Sequence, residues 1–160
     1  APLEQPAARW HYVQRFESAR DLAQNLVVRI RGVLTAPVSG TFIFRLEVQG
    51  EAEVRLAPWS SDPPVAGRTP VIVKARDTVA FSDGIELVSG QRYFVEAVHR
   101  AGPGPDLMRV GWTLPDGTQE EAIPGRHFEA LVAKAPIAAY NYRHARLEPY
   151  IRSYDPTGYL

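Results

Sequence analysis

The chain contains no cysteine, which excludes disulfides, zinc–thiolate sites and cysteine nucleophiles. It also lacks a charge excess, with 18 basic side chains against 18 acidic ones. A neutral chain has no global field to draw in nucleic acid or an anionic membrane. No apolar run approaches the length that spans a bilayer, and no basic start followed by an apolar stretch reads as a signal peptide. Catalytic signatures are missing as well: there is no G-x-S-x-G elbow, no P-loop and no dinucleotide fingerprint. The chain opens Ala1-Pro2-Leu3 without an initiator methionine, as expected of a processed mature N-terminus or of a trimmed chain.

What is present is punctuation. Fourteen prolines and twelve glycines in 160 residues suit a turn-rich β protein and leave little room for long helices. The length supports one domain with a real core and is too short for two comfortable ones. Trp10 to Phe16 is rich in β-formers, and Ser18 to Gln24 predicts a short helical turn with Ser18 as its cap. In Asn25 to Leu34, Val28, Ile30 and Gly32 alternate with Arg29 and Arg31, the period of a half-buried strand. Thr41 to Val48 alternates most clearly, with Phe42, Phe44, Leu46 and Val48 opposite Arg45 and Glu47. Gln49-Gly50 is read as a turn that sends Ala52 to Leu56 back as a hairpin partner.

Ala57 to Arg68 is a proline-rich surface loop. Val71 to Phe81 carries a short β run that then breaks. Ile85 to Val88 leads into a tight Ser89-Gly90 turn. Gln91 to His99 follows with apolar residues on both faces, which makes it a central strand. Ala101 to Asp106 is a glycine–proline loop. Leu107 to Leu114 is a strand, Pro115-Asp116-Gly117 a turn, Glu120 to Ile123 a short edge, and His127 to Val132 a last short helix or strand. About eight strands at this spacing predict an all-β antiparallel sandwich or barrel.

Candidate chemistry is sparse. His11, His99, His127 and His144 lie outside metal-ligand spacing of one another. His99 ends a strand beside the glycine–proline loop, where it either lines a site or fills a structural role. Gly102-Pro103-Gly104-Pro105 is no phosphate cradle, because proline removes the N–H donors that a nest requires. Glu120 and Glu121 are adjacent on a strand and point to opposite faces, so they cannot converge on one bond. Trp59 offers a flat ring on a loop for stacking on a sugar, unless it folds back on the sheet. Trp112, in mid-strand, is a core residue. The sequence therefore predicts no enzyme and no catalytic residue.

Several motifs then resemble one family. Val28 to Pro37, followed by Ser39-Gly40-Thr41-Phe42-Ile43-Phe44, is similar to the opening of the PA14 domain. Ile85-Glu86-Leu87 with Gly90 and Tyr93, then Val110-Gly111-Trp112, Leu114-Pro115 and Ile123-Pro124, resemble its later segments in the same order. The match covers roughly Phe16 to Leu131. It implies a β-sandwich or barrel found outside the cytoplasm, in toxins, adhesins, glycosidases and bacterial surface proteins. Such a domain binds carbohydrate or serves as an interaction module. Carbohydrate-binding members carry two adjacent aspartates after the second strand, which hold a calcium ion at the sugar site. The matching segment here is Glu47-Val48-Gln49-Gly50-Glu51, and no aspartate pair occurs anywhere in the chain. No cofactor is therefore expected, and calcium would need other oxygens. Asp106 is one candidate ligand, its alternative being a loop aspartate that caps a turn.

Behind the domain the composition changes. Five of the seven tyrosines, Tyr140, Tyr142, Tyr150, Tyr154 and Tyr159, fall in residues 133–160, interleaved with Arg143, Arg146 and Arg152. Tyrosine and arginine are enriched at protein interfaces, and Pro136, Pro149 and Pro156 rule out a long helix. The expected organisation is thus an N-terminal arm and first strand over 1–15, a PA14-like β domain over 16–132, and an extended C-terminal arm over 133–160. The expected function is a non-catalytic, extracytoplasmic module (periplasmic, cell-surface or secreted). It would dock as a structural or accessory subunit on a partner protein through those eight arm residues. The alternative is a lectin-like domain that binds glycan through Trp59, Asp106 and His99.

Overall fold

The computed structural model describes residues 13–18, 27–59, 69–102 and 107–129. The expected elements over 1–12 and 19–26, the proline-rich loop after Trp59, Asp106 and the whole tyrosine-rich arm lie outside these residues. Eight strands occupy most of the described chain: β1 (Val27–Thr35), β2 (Gly40–Pro58), β3 (Val71–Phe81), β4 (Ile85–Leu87), β5 (Arg92–Arg100), β6 (Leu107–Thr113), β7 (Gln119–Glu120) and β8 (Phe128–Glu129). A single 3-10 turn, Gly125–His127, precedes β8. The strands pair antiparallel in the order β7-β6-β2-β5-β1-β8, with β3 and β4 also paired to β2. The all-β antiparallel class read from the alternation is the observed one.

The curl of this sheet depends on β2. Its 19 residues alternate inward at Phe42, Phe44, Leu46 and Val48, and again at Ala52, Val54 and Leu56. Residues 43–49 pair with β6, from Ile43↔Thr113 to Gln49↔Leu107. Residues 51–58 pair with β5 instead, from Glu51↔Arg100 to Pro58↔Tyr93. β3 follows β2 along its other edge through both halves. One bent ladder therefore joins the two parts of the sheet, as strands that turn a corner at a bulge do. This corrects the hairpin expected at Gln49-Gly50: the chain bends there and continues. Gly50 has φ 89°, but only one residue takes the left-handed region, and the two halves of β2 find different neighbours. The break expected within Val71 to Phe81 is likewise a bulge inside one continuous 11-residue strand.

The inner face closes on one core that includes Phe16, Ile30, Leu34, Phe42, Phe44, Val95, Val110, Trp112 and Phe128. Trp112 is 1% exposed. It packs against Phe42 and Phe44 and donates its Nε1–H to Glu120 at 2.6 Å. Gly111 is required beside it, since a Cβ there would fall on the carbonyls of Glu120 and Glu121. β5 lies between β2 and β1 and is buried on both faces, as its two apolar faces predict. The short turn expected after Ser18 lies outside the described residues, and Ser18 itself meets Met108. Its hydroxyl accepts from the Met108 backbone N–H, and its own N–H donates to the Met108 carbonyl. Of the strand expected over Trp10 to Phe16, residues 13–16 are described, where Arg15 bridges Pro124, and Glu17 just beyond bridges Arg109.

Candidate functional site

The bend in β2 opens a hollow where β5 and β6 part company. Val48 faces Thr78 and Glu51 faces Arg76, so Gln49 and Gly50 together oppose the single residue Asp77. Asp77 takes φ 51°, the one non-glycine residue in the left-handed region among the described residues. Aspartate tolerates that conformation because its short side chain can bond nearby backbone. Here its Oδ1 accepts the Gly50 N–H at 2.8 Å. The kink is thus pinned from both strands. Gly50 has a second reason to be glycine: a Cβ would lie 2.6 Å from the Arg100 carbonyl.

The hollow has a volume of about 560 Å³ and is lined by Gln49, Gly50 and Glu51 of β2, Arg76 and Asp77 of β3, and Arg100 and Gly102 at the end of β5. That volume fits a small ligand, and the lining is mostly charged side chains and backbone. Arg76 pairs with Glu51 at 2.8 Å, both exposed. Arg100 is exposed and has no ion-pair partner among the described residues. The side chains of the hollow can hold a polar molecule by hydrogen bonds.

Of the three residues singled out for sugar binding, the two that are described, His99 and Trp59, do not line the hollow. His99 is 0% exposed. It follows Tyr93, Val95 and Ala97 on the core face of β5, beneath the hollow, and its Nε2 donates to the Gln49 carbonyl at 2.6 Å. It supports the floor and is closed to ligand. Trp59 is half-buried at the opposite end of the β2–β5 ladder, roughly 25 Å away at strand spacing. Its N–H donates to the Arg92 carbonyl, and the Arg92 guanidinium lies 6.0 Å from its ring centroid. Asp106 lies outside the described residues, although Leu107, directly after it, pairs with Gln49. Sequence reasoning missed Arg76, Asp77 and Arg100. The one available signal was the interruption of the β run at Arg76-Asp77.

Among the described residues, the oxygens near the corner do not fit the calcium that the PA14 resemblance would bring. The Gln49 carbonyl is engaged by His99, Asp77 Oδ1 by the Gly50 N–H, and the Glu51 carboxylate by Arg76. A calcium ion asks for six to eight oxygens. No three His, Asp or Glu side chains among the described residues converge to supply a centre for them.

Two other charged clusters are structural. Glu120 receives Trp112, Arg126 at 2.7 Å and His127 at 3.4 Å. Burial holds the His127 pKa below its usual value, against the pull of Glu120. Glu121 points away and is exposed, so the adjacent glutamates form no pair. Glu96, on the outer face of β5, is only 4% exposed. Burial pushes its pKa up, while Arg29, Arg31 and Arg55 around it pull it down.

No family model matches the chain, and no curated protein does. Solved structures do. The Epithelial Adhesin 9 A domain from Candida glabrata, in complex with Galβ1-4GlcNAc, superposes with a TM-score of 0.56 at 11% identity, over 64% of this chain and 51% of that one. The same domain with Galβ1-3GlcNAc gives 0.53 at 10% identity, over 62% and 50%. A subtype-switched form, from Epithelial Adhesin 9 to 1, in complex with β-lactose gives 0.52 at 10% identity, over 62% and 48%. The chain spans about half the length of these adhesin domains. At this identity the likeness is one of fold: the chain shares a β-rich architecture with these adhesin domains, at a distance.

Proposed function

We propose that the chain is a non-catalytic, extracytoplasmic carbohydrate-binding module whose sugar site is the hollow at the β2–β3 corner. One coincidence carries this reading. The segment that the PA14 resemblance assigns to the sugar site, Glu47 to Glu51, supplies Gln49, Gly50 and Glu51 to the hollow. The adhesin domains of similar fold were each crystallised with a galactose-containing disaccharide, which supports the same class of ligand. The charged side chains in the lining suit hydroxyl groups, each of which both donates and accepts. Among the described residues no aromatic ring lines the hollow, so hydrogen bonds carry the affinity and a dissociation constant of about 1 mM is expected.

The test is a glycan array run with and without calcium, on the whole chain and on an Asp77→Gly variant. Glycine keeps the left-handed backbone and removes the carboxylate. Specific binding that weakens in the variant supports the site. Absence of binding to every glycan would overturn the reading. A second reading, docking on a partner protein, rests on the tyrosine and arginine content of residues 133–160. Deleting residues 135–160 should abolish co-purification with that partner, and unchanged association would sink it.

A further inference from the structure

The charges in the hollow are not spent evenly. Arg76 and Glu51 neutralise each other across the bent ladder at 2.8 Å. Asp77 gives one oxygen to the Gly50 N–H and keeps the other. Arg100 keeps its whole guanidinium, with no hydrogen-bond or ion-pair partner among the described residues. Two groups are therefore left to a ligand: a planar cation with paired N–H donors, and a carboxylate oxygen that accepts. A neutral sugar would satisfy the second and leave the first idle. A lone anion such as phosphate would satisfy the first and meet repulsion from Asp77. A molecule with both an anionic group and hydroxyls satisfies both.

Resting on the carbohydrate reading above, we infer that the hollow selects anionic saccharides and binds them without a metal ion. Arg100 takes the anionic group through its guanidinium fork, which matches a carboxylate or sulfate in two parallel hydrogen bonds. Asp77 accepts from a ring hydroxyl. The cation does for this site what a bound metal does in a calcium lectin, by giving the sugar a fixed positive centre. No three His, Asp or Glu side chains among the described residues converge to supply a calcium centre. Uronates and sulfated sugars share the required chemistry.

The experiment titrates the full chain, by calorimetry or ligand-observed NMR, with lactose, a galacturonic acid oligosaccharide and a sulfated galactose oligosaccharide, each in calcium and in EDTA. Binding of an acidic ligand that is indifferent to EDTA and weakens with added salt is expected, and the two acidic ligands distinguish uronate from sulfate. Arg100→Gln should weaken it roughly tenfold or more, Arg100→Lys should recover part of the loss, and Lys74→Gln, outside the hollow, should change nothing. Thermal melting of each variant checks that the fold persists. Lactose bound as well as the acids, and unaffected at Arg100, would overturn this inference while leaving the carbohydrate reading standing. No binding to any of the three ligands would overturn the inference itself, and the wider glycan array then decides the carbohydrate reading separately. Binding abolished by EDTA would overturn the metal-free part.

Discussion

The two ends of the β2–β5 ladder are built from similar residues and finish differently. Each brings an arginine of β5 beside the end of a β2 segment: Arg100 at Gly50, and Arg92 at Trp59. At the Trp59 end the groups close on one another. The Trp59 N–H continues the ladder to the Arg92 carbonyl, and the Arg92 guanidinium lies over the ring and 3.4 Å from Glu129. At the Gly50 end the backbone is kinked on both strands, the sheet divides, and Arg100 has no ion-pair partner among the described residues. A ligand site is recognised by what the fold leaves unpaired, and by this measure the corner is the open end.

Four substitutions sharpen that contrast. The largest effect is expected at Gly50. Gly50→Ala places a Cβ against the Arg100 carbonyl in a backbone region that alanine avoids, at a cost of roughly 2–4 kcal/mol. Denaturant unfolding measures it, and a loss below 0.5 kcal/mol, an approximate neutrality bound, would mean the corner is not held as described. Next is Asp77→Val, a β-branched residue forced to positive φ. It should lose about 1–3 kcal/mol, whereas Asp77→Gly should lose clearly less on the same unfolding curve.

Trp59→Ala removes a half-buried ring and its cation–π contact, for roughly 1–2 kcal/mol, and should leave saccharide affinity unchanged. If Trp59→Ala abolishes sugar binding while the hollow variants are silent, the site belongs at the other end of the ladder. The smallest effect is expected at Glu96. Its folded pKa is raised, so its favourable contribution is present below the ordinary carboxylate pKa and is lost as pH rises through the folded value. Glu96→Gln should flatten the pH dependence of stability above the ordinary carboxylate pKa. An unchanged pH profile would mean that the three arginines fully compensate burial.

The alternation that defines β1, the first half of β2, β5 and β6 was plain in the residues, because a period of two needs only local side-chain order. The Pro115-Asp116-Gly117 turn was equally plain: Gly117 takes φ 90° and the Thr118 N–H donates to Asp116. Gln49-Gly50 was misread for a physical reason. A glycine at positive φ serves a turn and a bulge alike, and the choice depends on whether the next segment pairs with the previous strand or with a distant one. Ala52 to Leu56 pairs with Val95 to His99, about forty residues on, and no local pattern encodes that.

The site divides along the same line. Composition and periodicity by themselves determined an all-β antiparallel domain, a neutral chain without cysteine chemistry, the burial of Trp112 and the opposition of Glu120 to Glu121. Only the tertiary structure decided that His99 lies under a floor, that Trp59 stands at the far end, and that Arg76, Asp77 and Arg100 meet at one corner. Burial alternates with local sequence. Which charges remain unpaired is settled by contacts across 25 and 50 residues, and those exist only once the sheet has curled.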